Sequence, residues 1–386
     1  MDVVALEALR SEWDALADAC GLPGMTSAWV LAWFRHVAPA DVAPRVVLVH
    51  DGDALIGVAP FYTALGGRGR RDYRLVSVEF SNRLAPLALA GREQDVAGAI
   101  AHTLASAAPR PDMIALESSP PNAPWLSALR ERWPGRVRPV TLTYNSKSCP
   151  SVSLTAGSFD EWLAGKSSNF RSQMRRARRQ FEAAGGTVRM TAPNTLHSDV
   201  DTFVKLHTSR WEGRGQSSLV GLGEKLPAIL NEVGAMLLPY DGRYRLQIME
   251  IESQPISAQL FLAAGGQVLY FNGGWDEQFA HLKPAMLAIL IAIEEAFARG
   301  DECLDLGSGA MSYKLRFADG DDPVCWSVLM VPSLRLPFTF GSMIPPVTSQ
   351  WSRRTIKRVL APDQLDRLRG LRRKLGYGSP SVDTGA

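Results

Sequence analysis

Cysteine is scarce in this 386-residue chain, and its four copies (Cys20, Cys149, Cys303, Cys325) have neither metal-ligand spacing nor the density of a disulfide scaffold. A reduced, cytoplasmic protein without a bound metal is therefore expected. Long hydrophobic runs are missing too. The longest, 284–293, stops at Glu294-Glu295, well short of the ~20 residues that a membrane span requires. The opening residues carry no basic-then-apolar leader, which fits the same expectation. No Gly-x-Ser-x-Gly elbow occurs and no cysteine sits in a motif, so chemistry through a covalent acyl-enzyme is not expected. Proline (25) and glycine (33) are plentiful but dispersed, which argues against long disordered tracts.

With 46% hydrophobic residues the chain can bury a large core, and its length suits two domains. Charge is unevenly placed. The chain is +3 overall, yet 351–375 alone carries nine Arg or Lys against Asp363 and Asp366, a net +7. The remainder is acidic, so DNA is not an expected partner. Leucines interleave with those arginines, giving an amphipathic tail suited to an acyl carrier protein or an anionic membrane surface. On that reading the protein is peripheral at the inner membrane.

Apolar periodicity and turn residues divide the chain into two similar halves. The first reads as helices at roughly 3–19 and 27–37, then a hairpin of 45–50 and 54–61 around Asp51-Gly52-Asp53. A strand near 75–80, a helix at 93–107, a strand at 113–117, a helix at 122–132 and a strand at 137–143 follow. The polar, Pro-terminated stretch 145–150 marks a junction. The second half reads as helices at 168–184, 198–211 and 223–237, then strands at 245–252, 256–264 and 268–273. A helix at 284–299, strands at 303–307 and 325–331, and the cluster Tyr313-Lys314-Leu315-Arg316-Phe317 complete it. A shift of 200 residues lays 45–62 over 245–262, which points to a tandem duplication. The expected domains are 1–145 as a degenerate partner, 150–335 as the active unit, and 336–386 as a Pro-rich strap and basic tail.

Two helices carry the functional signals. Pro284 is favoured in a first helical turn because its missing N–H would be unpaired there. The other N–H groups of that turn, with the helix dipole, suit a pyrophosphate, and Lys283 adds charge. In the 168–184 helix Phe170, Met174, Ala177 and Phe181 share one face, while Arg171, Arg175, Arg178 and their neighbours lie largely on the others. No acid occurs between Lys166 and Phe181, so those arginines lack local partners and suit an anionic ligand. Arg210-Trp211 follows at a helix end, with Trp211 as a candidate acceptor floor. The Gly273-Gly274 pair permits close approach to the backbone of Phe271, Asn272 and Gly273. The sequence Asp305-Leu306-Gly307-Ser308-Gly309 resembles a methyltransferase glycine loop, but too little chain follows it for the βα units of that fold.

The β-β-β-α-β order, with Phe170-Arg171, Leu206-His207, Arg210-Trp211, Gly274-Trp275-Asp276, Asp305-Leu306-Gly307 and Tyr313-Lys314, resembles the GCN5-related N-acetyltransferase (GNAT) superfamily. Within it the likeness, over roughly 25–330, is to the CelD-type branch associated with cellulose or exopolysaccharide biosynthesis. That branch is similar in its tandem architecture to the FemABX aminoacyltransferases. The resemblance implies an α/β (α+β) fold of tandem GNAT-like domains, each a mixed, mostly antiparallel sheet flanked by helices. It implies acyl-CoA as cosubstrate, lying along Phe271, Asn272 and Gly273, with its diphosphate at Lys283, Pro284 and Ala285. Lys314 is placed to pair with a phosphate or to hold Asp305. Tyr313 sits where the superfamily often keeps a general acid, and a phenol with a pKa near 10 can protonate a thiolate whose conjugate acid lies within a unit or two. For deprotonating an amine the candidates are Asp276, then Asp305, then His281. The segment 281–286 lacks the superfamily's Gly-rich phosphate clamp, which leaves a carrier-protein thioester or an aminoacyl-tRNA open as donor. The expected activity is direct acyl transfer from acyl-CoA to an amine, or a hydroxyl, of an anionic acceptor bound by Arg171, Arg175, Arg178, Arg210 and Trp211. The alternatives are a FemABX-like aminoacyl-tRNA-dependent ligase and a non-catalytic scaffold at the membrane.

Overall fold

Polar turns between apolar strands build the first sheet of this computed structural model, which describes residues 6–39, 42–76, 81–211, 217, 219–309 and 311–344. Helices α1 (Arg10–Cys20) and α2 (Ser27–Ala32) precede the hairpin of β1 (Ala43–Asp51) and β2 (Ala54–Gly66). Then come β3 (Arg70–Leu75), β4 (Leu87–Ala88), α3 (Glu93–Ser106), β5 (Met113–Ser119), α4 (Trp125–Arg132) and β6 (Val140–Lys147). At Ser148-Cys149 the chain passes to a second sheet. There it forms β7 (Pro150–Ser153), α5 (Phe159–Ala164), α6 (Ser168–Ala183), β8 (Gly186–Met190), α7 (Leu196–Trp211) and α8 (Lys225–Leu237). It continues through β9 (Tyr244–Ile251), β10 (Gln254–Ala264), β11 (Gln267–Trp275), α9 (Pro284–Arg299), β12 (Cys303–Asp305), α10 (Ser312–Phe317), β13 (Gly320–Asp321) and β14 (Val324–Met330).

The sheets have the orders β1-β2-β3-β5-β14-β6, with β4 on β2, and β13-β7-β12-β11-β10-β9-β8. Both are mostly antiparallel, with one parallel pair each, β3/β5 and β11/β12. The same plan thus recurs: a hairpin, a third strand, a crossover helix, and a fourth strand parallel to the third. Several elements depart from the sequence reading: the third strand of the first half, expected near 75–80, is β3 at Arg70–Leu75, and the Tyr313 cluster forms the helix α10. β14, expected to close the second half, returns to the first sheet and pairs with β5 and β6. The short strand β8, which the periodicity does not reveal, edges the second sheet against β9.

A shared core explains why the halves sit as one body. Trp13, Trp29, Trp33 and Phe61 of the first half pack in one cluster with Phe203, Leu246, Leu260 and Leu262 of the second. The opposite face of the second sheet buries a separate cluster under α6 and α9, in which Phe170, Met174, Phe181, Phe261, Leu287 and Phe317 meet. Each fully buried side chain of that size contributes about 1.5–3 kcal/mol relative to exposure, so the face of α6 read from its spacing is what anchors it. Ser167 caps that helix by accepting the Phe170 N–H at 3.3 Å. No helix among the described residues is long and apolar enough to cross a membrane. The expected basic tail, 351–375, lies outside the described residues, as does all but 336–344 of the strap and tail.

Candidate active site

The second sheet opens along one seam. β11 and β12 pair over three residues, ending at Leu269 opposite Asp305, while β11 runs on to Trp275. On its other side β11 stays paired with β10, except that Phe271 bulges out of the register between Tyr270 and Asn272. Bulges bend a strand and re-aim its groups, often beside active sites. Here the bulge accompanies a small open cleft lined by Arg210, Trp211, Gln259, Tyr270, Asn272, Gly273, Ala285 and Tyr313. The corresponding place in the first sheet is occupied. Arg74, in the last β3/β5 pair, forms an ion pair with Glu117 just beyond it, and Glu117 also accepts the Tyr144 hydroxyl at 2.8 Å.

Five of the residues singled out by sequence reading meet at this cleft besides Tyr313: Asn272, Gly273, Ala285, Arg210 and Trp211. Tyr313 is mostly buried, which raises its phenol above the ordinary value, while the Arg210 charge opposes the shift. Its hydroxyl has no hydrogen-bond partner among the described residues. Tyr270 differs: burial and the nearby Tyr313 hold its phenol well above 10, and its hydroxyl donates to Gln259 Oε1 at 2.7 Å. Gln259 Nε2 in turn donates to the Ser257 hydroxyl and the Gly274 carbonyl, at 3.0 and 3.2 Å. Gln259 and Tyr270 escape a search for charged motifs. The available signal is an amide side chain in the middle of an otherwise apolar strand, where burial without partners would be costly.

Helix α9 begins beside the cleft. Pro284 occupies its first turn, Ala285 lines the cleft, and no side chain caps the start. Lys283 precedes it in the left-handed region at φ 54°, a conformation that costs a non-glycine residue about 1–2 kcal/mol. Its ammonium donates to Gln173 Oε1 at 3.2 Å, and the Arg316 guanidinium donates to the same oxygen at 3.0 Å. One amide oxygen on α6 therefore holds two cations together near an uncapped helix start. Anions suit such a place.

Several expected site residues do other work. Asp276 caps the turn Glu277–Leu282 by accepting the Gln278 N–H at 3.0 Å, and it does not line the cleft. Asp305 is buried, paired with Arg83 from the first half, and accepts the Gly307 N–H at 2.7 Å. Neither carboxylate is placed as a free base. Phe271 lies with its ring edge-on to Trp29, 5.2 Å between centroids, so its side chain belongs to the shared core. Arg171 caps the end of α5, donating to the carbonyls of Ala164 and Lys166 at 2.7 and 2.6 Å. Arg178 is paired with Glu294 of α9. Arg175 stays exposed, with Arg176 and Arg179 beside it, and no partner for them occurs among the described residues. His207 is fully buried between the Gly273 carbonyl and the Ser217 hydroxyl, with its pKa lowered by burial. The exposed His281 is also outside the cleft lining.

Lys314 is buried as well, donating to the carbonyls of Gly307 and Ser308 at 3.4 and 3.3 Å rather than reaching a phosphate position. Burial lowers its ammonium from 10.5 to about 8, partly offset by Asp305. The folded chain thus binds this proton less tightly than the unfolded chain. Between about pH 8 and 10.5 the unfolded state holds more protons, and stability rises with pH across that window. Urea midpoints taken from pH 7.5 to 9.5 are expected to climb more steeply for the native protein than for Lys314→Met. Parallel curves would remove the assignment.

Residues 168–315 match the model of the acetyltransferase (GNAT) domain. No curated protein matches the chain. Among solved structures, FemX is similar at 11% identity over 84% of this chain and 96% of its own, with a TM-score of 0.59. The C-terminal domain (DUF2156) of a putative lysylphosphatidylglycerol synthetase from Agrobacterium fabrum is similar at 12% identity, covering 88% and 96%, with a TM-score of 0.55. A conserved protein of unknown function from Bacteroides thetaiotaomicron is similar at 9% identity, covering 86% and 98%, with a TM-score of 0.54. At such identities these likenesses concern the fold. The chain is an α/β protein of two mostly antiparallel sheets flanked by helices, and its 168–315 segment, containing the open seam, matches the acetyltransferase (GNAT) domain.

Proposed function

We propose that this chain transfers an acyl group from acyl-CoA to an amine by direct attack, in the seam between β11 and β12. The observation that carries the reading is the early end of that parallel pairing beside an uncapped helix start. A thioester lying in the seam meets unpaired β11 backbone, and its diphosphate meets the first turn of α9 with Lys283 and Arg316 alongside. Tyr313 donates a hydrogen bond to the departing sulfur. Burial lifts the thiols of Cys149 and Cys303 to about 12 and about 11, so neither supplies a thiolate nucleophile near neutral pH, consistent with direct attack. Among the described residues the cleft lining contains no carboxylate or imidazole, and on this reading the acceptor amine sheds its proton to solvent before attack.

A second reading is favoured by one feature, the exposed and unpartnered Arg175, Arg176 and Arg179, which suit a large polyanionic donor such as a charged tRNA. Membership of an exopolysaccharide pathway, as in the CelD-type branch, has no support of this kind. The two donors separate in one assay. Acetyl-CoA at 100 times its Kd is expected to stabilise the protein by about 2.7 kcal/mol, read as a rise in Tm. Absence of any shift with acetyl-CoA and longer acyl-CoAs, together with product formed only from aminoacyl-tRNA, would reverse the choice.

A further inference from the structure

The cleft holds donors that find no acceptor among the described residues. Arg210 lines it with its guanidinium over the Trp275 ring, 5.1 Å from the centroid, and no acid among the described residues pairs with it. Trp211, next along α7, lines the same cleft, and its buried Nε1–H has no acceptor. Trp275, behind the guanidinium, leaves its own Nε1–H buried and unsatisfied as well. An unpaired buried donor forfeits its hydration without return, and native proteins retain few. The side-chain amide oxygens of the lining each already accept one hydrogen bond. Gln259 Oε1 takes the Tyr270 hydroxyl, and Asn272 Oδ1 takes the Gly273 N–H at 2.8 Å.

We propose that Arg210 and the Trp211 indole N–H, backed by Trp275, seat a carboxylate of the acceptor, so that the acceptor is a small amino-acid-type molecule bearing amine and carboxylate together. Calling the ligand an acceptor rests on the acyl-transfer reading; the anion seat itself rests on the unmatched donors. Charge decides between carboxylate and phosphate. Arg210 is the one charged side chain among the described residues that line the cleft. A single guanidinium balances a monoanion, whereas a phosphate monoester carries about −1.5 to −2 at pH 7 and would leave buried charge uncompensated. The planar guanidinium fork also matches the two coplanar oxygens of a carboxylate.

The seat is tested without an acyl donor. N-acetyl amino acids with apolar, polar and acidic side chains, and their primary amides, are titrated calorimetrically into the full-length protein. At least one acid is expected to bind tenfold or more tightly than its amide. That preference should fall close to unity in Trp211→Phe, which keeps the ring without the donor, and in Arg210→Gln. Equal binding of acids and amides, binding of neither, or tighter binding of inorganic phosphate than of every acid would overturn the proposal. Turnover of acetyl-CoA is measured separately. If acids bind selectively but no acetylated product forms, the seat stands and the acyl-transfer reading falls. If amines with and without a carboxylate are acetylated equally, the seat falls and the reading stands.

Discussion

Tyr313→Phe is expected to lower kcat by about 10²-fold or more, within the range that positioned acid–base groups supply, with KM for the acyl donor little changed. Two phenols line the cleft, and they differ in their partners. Tyr270 spends its hydroxyl on Gln259, whereas Tyr313 lines the same cleft with a hydroxyl that has no described partner. Burial raises both phenols, so both remain protonated at neutral pH and only one has a hydrogen to offer. A thiolate leaving group gains most from that donor as charge develops on sulfur, so the loss appears in kcat. Tyr270→Phe is the comparison. It removes a donor from an internal chain of hydrogen bonds, so it should cost stability first and kcat less. Stopped-flow measurement of thiol release separates chemistry from product departure. A Tyr313→Phe enzyme that retains wild-type kcat would exclude this hydroxyl from the chemical step.

The seam was legible in outline because its parts are announced locally. Pro284 marks a helix start, Gly273-Gly274 marks a break, and the apolar strands of 244–264 are separated by turn residues. The partners of its charged groups were not. Asp305 looks free in sequence, yet it is held by Arg83 from 222 positions away, and no local pattern encodes such a pairing. Arg178 likewise meets Glu294 only once α6 lies on α9. The return of β14 to the first sheet has the same origin: strand pairing is set by packing of distant faces, while periodicity specifies only that a strand exists. Spacing assigned the apolar face of α6 correctly because burial on a helix repeats every 3.6 residues. A cap such as Asp276 and a catalytic carboxylate share one residue type and one loop context, so the distinction needs coordinates.

Gly274→Ala is expected to destabilise the protein by about 3 kcal/mol, at the upper end of typical overpacking costs. It should also displace the helix that carries Arg210 and Trp211. A Cβ at this position would lie 2.3 Å from the Leu206 carbonyl carbon and the His207 nitrogen. Both atoms belong to the backbone of α7, which cannot turn aside as a side chain does. The helix itself is fixed at its other end, where Asp199 accepts from Arg189 at 2.7 and 2.8 Å and from Thr191 at 2.9 Å. Relief therefore requires lifting the C-terminal turn off β11, which takes His207 away from the Gly273 carbonyl and opens the cleft wall. Gly273→Ala makes the informative contrast. Its Cβ would meet Gln259 Oε1 at 1.7 Å, the far end of a flexible side chain. Gln259 can swing away, so stability falls less, but the Tyr270–Gln259 hydrogen bond is lost and the cleft narrows. Equilibrium urea unfolding is thus expected to place Gly274→Ala well below Gly273→Ala in midpoint. Activity measured far below both midpoints should fall in both variants. A Gly274→Ala midpoint equal to that of the native protein would show that α7 does not rest on this strand, and the wall formed by Arg210 and Trp211 would lose its support.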